Sequence, residues 1–228
     1  MRYTSVVSIL FLLFSVLVAP SHGAVSCHCF QDRTYDPSRP SAADIYFLAT
    51  TQNSLMSAAF NIPKRSIVQA KMGGADADLL WLSYYISDRS GLDVTDMLET
   101  WTTAGLTGLL AKLEKLKVKF DKPFLAALRP GADLSQLAQG ACRSVLVAQL
   151  GVDGAILEGL EFKGANRQEQ ILALFISFLL AEDAVAIYSS VRSGQQTWGQ
   201  MFASTGLDAG QIEASWRKLM KLYRDGLN

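Results

Sequence analysis

Ile171-Leu172-Ala173-Leu174-Phe175-Ile176-Ser177-Phe178-Leu179-Leu180-Ala181 is apolar at every position but Ser177. A helix with no polar side has nothing to turn toward water and belongs in the middle of other helices. Crossing a bilayer takes about 20 apolar residues, and Glu182 and Asp183 end this run after about half that length, so it reads as a buried core helix. Asn166 with Glu169 supplies a capping box and Ser193-Gly194 a left-handed stop, which together predict one long helix from Arg167 to Arg192. Leu174, Phe175, Phe178 and Leu179 are expected to be nearly inaccessible. Glu182 and Asp183, being adjacent, would point about 100° apart on that helix, so at least one of them reaches solvent.

Outward from this stretch, the N-terminus reads as a signal peptide. Arg2 precedes an apolar block from Val6 to Val18, and Ser21-His22-Gly23 places small residues before a cut, giving residues 1–23 as the signal and Ala24 as the first mature residue. The expected location is therefore secreted or periplasmic, with no transmembrane helix in the mature chain. A competing reading anchors the protein by a lipid on Cys27, since Ala24-Val25-Ser26-Cys27 is a tolerable lipobox. The whole chain has 21 basic and 21 acidic side chains, and losing Arg2 leaves a formal net charge of −1. Near neutrality with no basic face argues against a nucleic-acid partner.

Residues 24–40 have the composition of an extended arm, with Pro37 and Pro40 excluding helix and inner strand. Ser41 with Asp44 signals the start of a helix ending at Phe60. A short segment opened by Pro63, a helix from Ala77 to Arg89 and a short helix from Asp93 to Gly105 follow. Thr107 to Phe120 puts Leu109, Leu110, Leu113 and Leu116 inside. Pro123, Pro130 and Gly131 mark the best boundary, and Asp133 opens a helix to Leu150. No stretch alternates as strands require. The predicted fold is all-α: a multi-helix bundle of two similar helical halves, 41–128 and 129–228, preceded by the signal peptide and the extended arm.

The likeness of the halves rests on punctuation. Phe60-Asn61-Ile62 parallels Leu150-Gly151-Val152 at an offset of 90, Gly73 parallels Gly164 at 91, and Leu79-Leu80-Trp81 parallels Ile171-Leu172-Ala173 at 92. Ser90-Gly91 then matches Ser193-Gly194 at 103, Met97-Leu98 matches Met201-Phe202 at 104, and Gly105-Leu106 matches Gly206-Leu207 at 101. The jump implies about three extra turns inside the long helix, which would leave its face unrotated.

Chemistry has few places to reside. Without the signal, His28 is the one histidine remaining, so a triad or a paired-histidine metal site would have to use the arm. Cys27, His28 and Cys29 could hold copper or zinc if another element supplied a ligand. In an oxidising compartment the thiols favour a disulfide, and Cys142 is expected to pair with Cys27 or Cys29. No catalytic or cofactor-binding residue is identified, and no cofactor is expected. Thr197 to Lys221 resembles a helix-turn-helix over about 25 residues, but Ala203 stands three residues before Gly206 where that motif has four. Two packed helices around a tight turn are the expectation. Tyr84 and Tyr85 cannot both face one core, which makes one of them a candidate groove residue. The resulting expectation is an exported, non-enzymatic helical module binding a protein or envelope component, with a thiol or metal protein using Cys27, His28 and Cys29 as the alternative.

Overall fold

The computed structural model describes residues 30–226 apart from 116 and 130. The signal peptide and Cys27, His28 and Cys29 lie outside the described residues. Among those described, the chain is all-helical, with eleven α-helices and one 3-10 turn. They are α1 (Asp44–Phe60), α2 (Lys64–Met72), α3 (Ala77–Ser90), α4 (Val94–Lys115), α5 (Lys122–Ala127) and α6 (Leu134–Leu150). After these come α7 (Gly154–Phe162), α8 (Arg167–Leu180), α9 (Ala184–Arg192), α10 (Trp198–Ser204) and α11 (Ile212–Gly226). No helix among the described residues is long and apolar enough to cross a membrane.

The apolar stretch that dominates the sequence forms α8, and it is shorter than its pattern predicts. Its start is as expected: Asn166 accepts from the Glu169 backbone N–H while the Glu169 side chain accepts from that of Asn166. The helix stops at Leu180, however, because Ala181 turns left-handed at φ 55° and Asp183 caps a new helix by accepting from the Ala186 N–H at 2.6 Å. The Ser177 hydroxyl donates to the Glu182 carbonyl and closes the turn. Glu182 and Asp183 thus form an exposed break between α8 and α9, in place of the single helix from Arg167 to Arg192. Leu174 and Phe175 are buried as expected, but Phe178 beside the break is 37% exposed and Leu179 only half-buried. An alanine at φ 55° occupies a conformation that L-residues reach only against steric resistance. Ala181→Gly should raise the unfolding free energy by about 0.5–1 kcal/mol, read from the midpoint of urea unfolding; a loss of stability would refute the strain.

The equally buried partner of α8 is α1, where every residue from Ala49 to Ser57 is buried, including the polar run Thr50-Thr51-Gln52-Asn53-Ser54. Two of these polar groups reach cations on α2: Lys64 Nζ donates to the Thr50 hydroxyl at 2.6 Å and Lys71 Nζ to Asn53 Oδ1 at 2.6 Å. The expected cap from Ser41 is not made, because Ala43 holds the N-cap position with no side-chain bond. Asp44 instead accepts from the Gly199 N–H at 2.7 Å, fastening α1 to α10. The arm is docked beside this junction, with the Pro40 carbonyl accepting from the Thr197 hydroxyl at 2.8 Å.

Each of the first four helices has a counterpart beginning 90 residues later, α1 with α6, α2 with α7, α3 with α8 and α4 with α9; α5 and α11 are also 90 apart. The first three pairs match in length, at 17, 9 and 14 residues. Small features keep the same spacing: Gly74 and Gly164 sit at φ 90° and 89°, and Ser87 donates to the Leu92 carbonyl as Ser177 does to that of Glu182. The spacing of these helix starts is 90, where the sequence matches ran from 90 to 104, and α8 carries no three added turns relative to α3. Ser193-Gly194 closes α9, whereas Ser90-Gly91 closes α3. Packing runs crosswise, with α1 against α8, α3 against α6, α5 against α6 and α11 against α1.

Two further differences arise from backbone chemistry. Gly105 (φ 58°, ψ −157°) leaves helical geometry, so α4 is two helical segments meeting at the glycine where the first was expected to end, and the second stops at Lys115 before Lys117 turns left-handed, short of the expected end at Phe120. The stretch read as a boundary holds α5, a six-residue helix with Pro123 in its first turn, where a missing N–H costs nothing.

Candidate ligand-binding groove

A cavity of about 1120 Å³ opens where the first turns of α3 and α8 meet α5, α6 and α7. Its volume lies just above the usual range for ligand pockets, roughly 300–1,000 Å³. Three local arrangements build it. The Asp76 side chain accepts from the N–H groups of Asp78 and Leu79, starting α3 at one edge. The Asn166 capping box starts α8 opposite, and Arg167 there pairs with Asp78, tying the two helix starts together. Between them, small residues on α5 and α6 keep the floor open; a Cβ on Gly140 would lie 2.4 Å from that of Ala127.

Six carboxamides, five glutamines and one asparagine, share the polar lining with seven charged side chains. Gln170 donates to the Ala165 carbonyl at 2.8 Å and accepts from Gln139 Nε2 at 2.9 Å, which fixes both amides at the wall. Arg143 donates to Glu158 at 2.9 Å, to Glu161 at 3.2 Å and to the Gly154 carbonyl at 3.2 Å. All three acids of the lining are thereby engaged, Asp78 by Arg167 and both glutamates by Arg143. Lys122 and Arg129 line the same cavity and form no ion pair among the described residues. Gln52 reaches the cavity from α1; it is 1% exposed, and its Oε1 has no hydrogen-bond partner among the described residues.

The residues singled out from sequence do not meet here. Tyr85 is buried against Phe124, ring centroids 4.8 Å apart, and its hydroxyl faces Asp121 at 3.4 Å. Tyr84 is half-buried, stacked on Phe60 at 6.2 Å, and neither tyrosine lines the groove. Cys142 is a free, buried thiol on α6, so the expected bridge to Cys27 or Cys29 is not formed; those two cysteines lie outside the described residues. Cys142 is surrounded by core, and burial pushes its pKa up to about 12, offset in part by the Arg167 charge. Since only the thiolate reacts, Cys142 should stay unlabelled by iodoacetamide at pH 8 in the folded protein and become labelled in urea, read by peptide mapping. Labelling in the native state would contradict that burial. No group of three metal-ligating side chains occurs among the described residues.

Sequence reasoning passed over Gln52, Gln139, Arg143 and Arg167. A usable signal did exist for Gln52, which interrupts the apolar stripe of Leu48, Leu55 and Met56 with a carboxamide on the buried side of its helix. Comparison with protein-family models, with curated proteins and with solved structures finds no match.

Proposed function

We propose that this protein is an exported, non-enzymatic helical module that holds a segment of a partner protein in the groove between its two halves. One observation carries the reading: six carboxamides, which can both donate to and accept from a peptide group as an extended chain requires, line the groove among its charged side chains. The recurrence of helices at 90 supports two copies of one unit, 41–128 and 129–228, with the groove formed where they cross. The hydrophobic N-terminal block followed by Ser21-His22-Gly23 supports export, and the mature protein should then have the intact mass of a chain beginning at Ala24. A lipid on Cys27, or retention of residues 1–23, would overturn the export reading.

A photo-crosslinking residue at Ser135, exposed at the groove, tests the binding role in the producing cell. It should join the chain to a discrete partner, whereas the same group at Lys218, exposed on α11, should not. Equal crosslinking from both positions, or none from Ser135, would sink the proposal.

A further inference from the structure

Resting on that reading, we infer that the groove contains a subsite for the C-terminal residue of a polypeptide, recognising its carboxylate together with its amide N–H. Two independent features point there. The first is unspent positive charge. Every acid in the lining is already paired, while Lys122 and Arg129 are not, and the buried Arg167 Nε has no partner among the described residues. The start of α8 adds nothing to this field, because the Glu169 carboxylate of its capping box already stands there.

The second feature is Gln52. A carbonyl oxygen buried without a donor is disfavoured unless something arrives to satisfy it. Gln52 lines the cavity, and a rotation of its amide toward the groove would offer this oxygen to a donor on the ligand. Anion alone would leave Gln52 unserved, and a neutral amide alone would leave the cations unserved. The last residue of a peptide chain carries both groups two bonds apart, on either side of one Cα. A partner's C-terminal tail therefore fits better than an internal acidic segment, whose carboxylates stand away from the backbone on flexible side chains.

The test passes two randomised pools of N-acetylated octapeptides over the immobilised mature protein, one with free C-terminal carboxylates and one amidated, with bound peptides read by mass spectrometry. The free-acid pool should be retained at least about tenfold better, the loss expected for one charge-assisted interaction. Equal retention of both pools would overturn the subsite and leave the peptide groove standing; retention of neither would overturn the groove as well. Gln52→Leu, which removes the orphaned oxygen while keeping volume, should lower retention of an enriched peptide without lowering the melting temperature. Unchanged retention would refute the role of Gln52. The surface double variant K122E/R129E should also abolish the preference for the free acid, and serves if Gln52→Leu fails to fold. An enriched sequence fused to the C-terminus of a carrier protein should be retained too, and retention of the free peptide alone would overturn the assignment to a protein's tail.

Discussion

Trp216→Ala is expected to lower the unfolding free energy by about 3–5 kcal/mol, the largest single effect of any substitution considered for this chain. Trp216 is 0% exposed, its indole N–H donates to the Thr51 carbonyl at 3.3 Å, and its ring lies 4.8 Å from that of Phe175. Removing it opens a hole between α1, α8 and α11 and strips a buried carbonyl of a donor. Phe178→Ala is the matched control, since Phe178 touches the same indole at 6.4 Å from a partly exposed position and should cost only roughly 1–2 kcal/mol. Urea unfolding followed by circular dichroism measures both. A Trp216 variant losing less than about 1 kcal/mol, or a Phe178 variant equally damaged, would mean that α11 is not a structural part of the core.

Gly140→Val should cost about 1–3 kcal/mol, although valine is the better helix former of the two. Its Cβ would stand 2.4 Å from that of Ala127 and 3.5 Å from the Phe124 Cα, so α5 as a unit would have to move off α6. Gly210→Ala meets nothing within 4 Å and should stay within about 0.5 kcal/mol of the parent in the same urea titrations. Comparable losses from both variants would show that the close approach of α5 and α6 does not matter.

The all-α character was legible because helical periodicity, caps and stops agree over most of the chain. Asn166 forms the capping box its spacing announces, and Asp133 opens its helix as expected. The break at Ala181 was not legible, since alanine is the last residue a propensity argument would place in a left-handed turn. Polarity misled in α1, where Thr50 to Ser54 would ordinarily be assigned to solvent. Their burial depends on lysines of α2 and on helices more than a hundred residues away. The groove was hidden for a related reason: Gln52, Asp78, Arg143 and Arg167 become neighbours through crosswise packing, and nothing in their local spacing records it. Seeking the groove among aromatics pointed to Tyr84 and Tyr85, whereas the walls are amide and guanidinium.

Because α11 covers α1, two helices far apart in the chain close on each other, and α1 lacks this cover until α11 has been synthesised. Contacts of such sequence separation carry a large loop-closure cost before they return any stability, which places folding toward the slow end for helical proteins. A cut between α5 and α6 would accordingly release two fragments that each lack helices covering their own opening one. Mixed together, such fragments should regain structure by complementation, each supplying what the other's α1 or α6 has lost.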